Sequence, residues 1–158
     1  MSRVNVMFVC LGNICRSPTA HGIFAAMVKE EGLDEQIRVD SCGTSGWHIG
    51  NPPDPRSIAM AAERGFDLSV LRASQIQRAD FETFDYVLAM DEQNLIDLRQ
   101  VAPEDYRGCL DLFLSFDDEN SAREVPDPYY GGEEGFVLAV DLIEAASRKL
   151  LAHIRATL

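Results

Sequence analysis

The sequence predicts an α/β fold, a doubly wound sandwich in which a four-stranded parallel sheet carries helices on both faces. Two observations point to it first: short apolar runs alternate along the chain with stretches of helical periodicity, and the first run, Val4–Cys10, is apolar at both odd and even positions, as in a strand buried on both faces. The third is size. A chain of 158 residues with 46% hydrophobic and 25% charged residues suits one domain, residues 1–158, able to bury a core without metal or disulfides.

Each element has its own signal. After the first strand, Gly12 and Asn13 tolerate positive φ and predict a tight loop over residues 11–16. Ser17-Pro18 reads as an N-cap and first helical residue of a helix that carries Ile23, Phe24, Met27 and Val28 and stops at Gly32. Residues 37–41 alternate as a second strand, completing a right-handed βαβ unit. Residues 42–55, rich in Gly and Pro and holding the single Trp47, form a long loop of the kind that tends to be functional. Asp54-Pro55 caps a helix through Ile58, Ala61 and Ala62 that ends at Gly65, and residues 86–90 form a third strand. Asp91 caps the next helix, with Leu95, Leu98 and Val101 on its apolar face. Residues 109–114 are the expected fourth strand, and residues 115–135 read as turns. From Gly135 onward, Phe136, Val140, Ile143, Leu150 and Ile154 mark a long amphipathic helix. The expected strand order is flavodoxin-like, with the ligand crevice at the carboxyl ends of the strands near the switch point.

Charge narrows the function classes. Lys and Arg number 14 against 26 Asp and Glu, a net charge of −12, which disfavours nucleic acid and anionic membrane surfaces as partners. No apolar run is long enough to insert in a membrane, and no leader pattern precedes the first strand, so a cytoplasmic location is expected. Four cysteines in a chain of this length form no disulfide framework, so the chemical question is which thiol reacts.

The loop Cys10-Leu11-Gly12-Asn13-Ile14-Cys15-Arg16-Ser17 lies where the crevice is expected. Six residues curled between strand and helix can turn their N–H groups inward as a nest for a tetrahedral oxyanion, with the helix N-terminus behind them. Arg16 supplies a planar fork for two phosphoryl oxygens. Cys10 starts the loop, and the field that attracts phosphate also stabilises a thiolate, a competent nucleophile towards phosphorus. Ser17 can donate to that sulfur, cap the helix, or both. The bare Cys-x5-Arg spacing is weak evidence; the strand–loop–helix context, the Gly-Asn pair and the Ser-Pro that follows strengthen it. Asp127, between Pro126 and Pro128, is stiffly presented and suits a general acid. His21, His48 and His153 show no catalytic pairing and read as solvated or core residues, and Cys42 and Cys109 as inert buried thiols. No His/Cys spacing suggests a metal site, and no cofactor is expected.

Together, VCLGNICRSP near the start and DPYY far downstream resemble the low-molecular-weight protein-tyrosine-phosphatase family. Asp40-Ser41-Cys42-Gly43-Thr44, Trp47, GNPPDPR over residues 50–56 and Ala89-Met90-Asp91 extend the resemblance to essentially the whole chain. It implies a single phosphatase domain acting on phosphotyrosine-containing proteins and small aryl phosphates, as a monomer or with weak self-association. It makes Cys10 the nucleophile, Arg16 the phosphate clamp and Asp127 the general acid/base. It places Asn13, Ser17 and Ser41 in a hydrogen-bond network that shapes the loop, and Leu11, Trp47, Tyr129 and Tyr130 along the slot for the aromatic ring. It also implies a protective Cys10–Cys15 disulfide under oxidants. Animal members carry a His near residues 69–76 that joins the network, and here Leu71 takes its place. Three other readings compete: a non-catalytic phosphoanion-binding module, an interaction domain with a dead site, and an arsenate reductase, which would need two further cysteines around the third strand. Phosphoarginine is an alternative substrate, with the bulk of Trp47 favouring an aromatic ring.

Overall fold

The computed structural model describes residues 3–129 and 131–158. Its sheet has four parallel strands, β1 (Val4–Cys10), β2 (Ile37–Gly43), β3 (Tyr86–Ala89) and β4 (Cys109–Leu112), in the order β2-β1-β3-β4. This is the doubly wound, flavodoxin-like order. The helices are α1 (Arg16–Glu30), α2 (Pro55–Glu63), α3 (Asp80–Thr83), α4 (Glu92–Val101) and α5 (Glu133–Arg155).

The unbroken apolar character of β1 has a direct cause. Val6, Phe8 and Cys10 face one core, shared with Ile23 and Phe24 of α1 and Val140, Ile143 and Ile154 of α5. Met7 and Val9 face the other, shared with Val87 and Ala89 of β3, Leu95 and Leu98 of α4, and Phe81 and Phe84. Successive strand residues point to opposite faces, so a central strand between two helical layers needs apolar side chains at every position. Phe8 anchors the first core through edge contacts to Phe24 and Phe113, with centroids 5.6 and 4.9 Å apart.

Several boundaries differ from the sequence reading. Helix α1 begins at Arg16, with Cys15 at its N-cap position and no side chain capping it. Ser17 is thus inside the helix, and its hydroxyl is spent on Cys10 instead. Strand β2 runs on to Gly43 because Cys42 and Gly43 keep register with Val9 and Cys10. Strand β4 stops at Leu112, where residues Phe113–Phe116 tighten into a 3-10 turn that tucks Phe113 into the core. Helix α5 starts two residues earlier than expected, at Glu133, and the four-residue α3 has too short a pattern to read from sequence. No helix of the described residues is long and apolar enough to cross a membrane.

Candidate active site

The loop after β1 lies at the carboxyl end of the sheet between its two central strands, where the strand order reverses. Its carbonyls are engaged outward. Cys10 O accepts from Thr44 N at 2.9 Å, Leu11 O from Ser45 N at 3.0 Å, Ile14 O from Asp54 N at 2.7 Å and Cys15 O from Thr19 Oγ1 at 2.6 Å. Among the described residues, no backbone N–H of residues 11–16 donates a hydrogen bond within the protein. Outward carbonyls and uncommitted N–H groups, with the first turn of α1 behind them, make a cradle for an oxyanion. Asn13 adopts φ 57°, a left-handed conformation that Asn tolerates better than most residues, and this turns the loop back on itself. Gly43 lets the loop sit directly on β2: a Cβ there would lie 2.6 Å from Leu11 O and 3.2 Å from Asn13 N.

Cys10 is buried at the base of the loop, with Sγ 3.0 Å from Ser17 Oγ and 3.5 Å from Ser17 N. Asn13 sits behind it and donates from Nδ2 to Ser17 Oγ at 2.7 Å and Ser41 Oγ at 3.1 Å, while its Oδ1 accepts from Ser74 N at 3.0 Å. That backbone donor takes Asn13 Oδ1, so the amide is fully engaged with no histidine among residues 69–76. Arg16, 3% exposed, donates from Nη1 to Asp91 Oδ2 at 2.7 Å and Val125 O at 3.0 Å, and its Nη2 lies 3.5 Å from Asp127 Oδ2. Burial alone would weaken the guanidinium's hold on its proton, but Cys10, Asp91 and Asp127 around it raise its pKa on balance.

Asp127 stands at the mouth, about one-third exposed, with Oδ1 accepting from Tyr129 N at 3.0 Å and Oδ2 turned to the guanidinium. This carboxylate-to-backbone turn between two prolines fixes the side chain. The segment is strapped down by Arg56, which pairs with Asp54 through Nε at 3.0 Å and Nη2 at 2.9 Å and donates from Nη2 to Tyr129 O at 3.1 Å. Its guanidinium also lies over the rings of Tyr129 and Phe136, at 5.5 and 4.7 Å.

These residues surround a cleft that is open to solvent. Cys10, Leu11, Gly12, Ile14, Cys15 and Arg16 form its floor and lower wall. Trp47, His48, Asp127 and Tyr129 form the mouth. Trp47 is 75% exposed, which excludes a core-anchoring role. Asn13, Ser17 and Ser41 are buried behind the loop, and Tyr130 lies outside the described residues. Cys15 is a free thiol in the cleft wall; burial pushes its pKa up to about 12, against a hydrogen bond from Ser57 that lowers it. Cys42 is buried as expected, with its thiol pKa raised by the same desolvation, whereas Cys109 is only half-buried.

Sequence reasoning missed four participants. Asp91 was legible as a helix cap, and its place after β3, on the same edge as the loop after β1, is the signal that it could also reach Arg16. His48 lines the cleft beside Trp47 and packs on Gly12, where a Cβ would meet its ring at 2.9 Å. Gly43 permits the close approach of β2. His21, expected to be solvated or a simple core residue, instead bonds Ser41 Oγ through Nδ1 at 2.9 Å.

Several known proteins are similar to this chain over nearly its whole length. The family profile described as low molecular weight phosphotyrosine protein phosphatase matches residues 5–158. A low molecular weight protein-tyrosine-phosphatase of Streptomyces coelicolor is 43% identical over 153 residues, 95% of this chain and 93% of that protein. The crystal structure of a protein tyrosine phosphatase from Entamoeba histolytica, with Hepes in its active site, superposes with a TM-score of 0.93 at 35% identity, covering 98% of both chains. YfkJ of Bacillus subtilis superposes equally well, at 37% identity, covering 99% of this chain and 98% of that one.

Proposed function

This chain belongs to the low molecular weight phosphotyrosine protein phosphatase family, whose members are phosphoric monoester hydrolases, and from that premise we propose that it hydrolyses phosphotyrosine in proteins through a cysteinyl-phosphate on Cys10. One observation carries the reading: Cys10 Sγ lies at the base of an N–H-lined loop beside Arg16, while Asp127 projects over the same guanidinium at the mouth, 3.5 Å from Nη2.

In the first step the Cys10 thiolate forms the S–P bond as the bond from phosphorus to the phenolic oxygen breaks, and Asp127 gives its proton to that oxygen. In the second, water attacks phosphorus, Asp127 takes a proton from it, and the S–P bond breaks to return the thiolate and inorganic phosphate. Arg16 and the N–H groups of residues 11–16 hold the equatorial oxygens through both transition states, where their charge is greatest. The Ser17 hydroxyl, 3.0 Å from the sulfur, stabilises the thiolate as nucleophile and again as leaving group. Leu11, Trp47 and Tyr129 in the cleft favour an aromatic ring; the resemblance adds Tyr130, which lies outside the described residues. Asp127 is what separates this reading from a phosphate-binding module, which has no use for an acid at the mouth.

The proposal extends to a cytoplasmic enzyme that needs no metal or organic cofactor, acts as a monomer or weak self-associate, and is protected from oxidants by a reversible Cys10–Cys15 disulfide. Cys10→Ser abolishes hydrolysis of p-nitrophenyl phosphate while vanadate still binds; substantial residual turnover rejects the nucleophile. Asp127→Ala lowers kcat by about 10²- to 10⁴-fold for aryl phosphates with poor leaving groups and much less for good ones. An equal loss for both rejects the proton donor.

A further inference from the structure

Behind the phosphate loop, outside the cleft, the hydrogen-bond chain from Cys10 does not end at Ser41. Its direction can be worked out atom by atom. Ser74 N–H can only donate, so the Asn13 atom 3.0 Å from it is Oδ1, and the Asn13 Nδ2 is the atom that faces both serines. Ser17 and Ser41 each receive one hydrogen bond from that amide, and each retains its own hydroxyl proton to place. For Ser17 the acceptors are Cys10 Sγ at 3.0 Å and Cys42 O at 3.3 Å. For Ser41 the facing atom is Nδ1 of His21, at 2.9 Å.

Ser41 can donate there when Nδ1 carries a lone pair, as it does in the neutral tautomer with the hydrogen on Nε2. The surroundings agree. Burial pushes the His21 pKa below the ordinary histidine range, and the carboxylate of Asp40, next to Ser41 on β2, opposes that only in part. Asp40 is itself engaged, accepting from Ser41 N at 2.8 Å.

We infer that His21 is a positioning residue for Cys10: its neutral imidazole accepts the Ser41 hydroxyl proton, which fixes the Asn13 amide that in turn holds the Ser17 hydroxyl on the Cys10 sulfur. The His21 role rests on Cys10 being the nucleophile. Without the imidazole, the Ser41 hydroxyl is left buried with a proton and no acceptor, and the bonds further along the chain weaken with it. Reactivity of a cysteine follows its thiolate, so the alkylation rate of Cys10 reads the state of the chain directly.

The test compares His21→Leu, which keeps apolar bulk but offers no acceptor, with His21→Asn, whose Oδ1 can stand close to where Nδ1 stood. Two quantities are measured at pH 6: the rate of Cys10 alkylation by iodoacetate, and kcat and KM for p-nitrophenyl phosphate. For His21→Leu the alkylation rate and kcat each fall about three- to tenfold, the scale of one lost hydrogen bond, with KM changed less than about twofold. His21→Asn restores both to within about twofold of the parent. Parent-like values for His21→Leu overturn the inference, as does an equal loss in the two variants, which would mean that only bulk matters. Should His21→Leu not fold, Ser41→Ala in the parent and in His21→Asn replaces it: the acceptor role requires similar losses in both, and a loss in only one overturns it. Complete Cys10 alkylation that leaves turnover intact rejects the nucleophile itself, whatever the His21 variants do.

Discussion

Replacing Gly43 by Ala tests whether the phosphate loop depends on direct contact with the end of β2. The new Cβ would stand 2.6 Å from Leu11 O, 3.1 Å from Gly12 C and 3.2 Å from Asn13 N, all of them backbone atoms of the loop. Strand β2 is poorly placed to retreat. Gly43 N donates to Ser74 O, Ile76 N donates to Gly43 O, each at 2.8 Å, and Gly43 stays in register with Cys10. The loop must therefore move. Ordinary contact begins at 3.4 Å, so Leu11 is displaced by about 0.8 Å from its present 2.6 Å. A misplacement near 1 Å costs on the order of 10²-fold in rate, so kcat/KM should fall roughly 30- to 100-fold. Overpacking of this kind costs about 1–3 kcal/mol, and for a chain of this length each kcal/mol lowers Tm by about 2–4 °C. Steady-state kinetics with p-nitrophenyl phosphate measures the rate loss, vanadate inhibition shows whether the loop still holds an oxyanion, and a thermal melt gives the fall in Tm. Gly132→Ala is the control, since φ there is −85° and nothing lies within 4 Å of the added Cβ. Parent-like kcat/KM and vanadate affinity in Gly43→Ala would refute the dependence.

Asp91 has two tasks on separate oxygens: Oδ1 caps α4 by accepting from Asn94 N at 2.7 Å, and Oδ2 holds Arg16 Nη1 at 2.7 Å. Asp91→Asn keeps an oxygen for the cap and loses the charge beside a buried guanidinium, so kcat/KM drops about tenfold and Tm falls with the lost ion pair. Asp91→Ala also loses the cap, about 1 kcal/mol, and melts a few degrees lower still; equal melting points would refute the division. Asp127→Ala removes the carboxylate that competes for Arg16 Nη2, so inorganic phosphate should inhibit that variant about two- to tenfold more strongly at pH 7, the modest scale of a partly exposed ion pair. Weaker inhibition than in the parent would contradict the competition.

The apolar double face of β1 and the loop after it are legible because both signals are local. Phe8 and Val9 show a buried strand by their sequence neighbours alone, and Gly12 and Asn13 mark the turn. The partnerships of Asp91 and His21 are not legible, for a physical reason. Asp91 meets Arg16 across 75 residues of sequence and His21 meets Ser41 across 20, so each contact exists only once β1 has paired with its neighbours and α1 has packed on the sheet. Ser17 shows the same limit from the other side. A serine before proline is a sound helix-start signal, but α1 begins two residues earlier and the hydroxyl turns to the Cys10 sulfur. Gly43 carries no sign of its role either, because its constraint comes from the backbone of a different loop.

Net charge is a poor guide to this cleft. At −12 the chain as a whole repels anions, but that field is screened beyond about 8 Å at physiological salt. Inside the cleft the guanidinium of Arg16 is shared between Asp91 and Asp127, so in the proposed cycle an entering phosphate takes the place of Asp127 at Nη2 and does not meet an unpaired cation. The balance then rests with the N–H groups of residues 11–16 and the N-terminus of α1, fixed dipoles that need not reorganise as charge moves onto the equatorial oxygens. In the proposed cycle the two carboxylates divide the remaining work. Asp91, tied to both Arg16 and α4, holds the fork in place throughout, whereas Asp127, held to Arg16 only at 3.5 Å, can release it when phosphate takes its place. Under the proposed function a phosphate site ringed by carboxylates is therefore consistent: one anion would orient the clamp, and the other would surrender the clamp to substrate and carry the proton that the leaving oxygen needs.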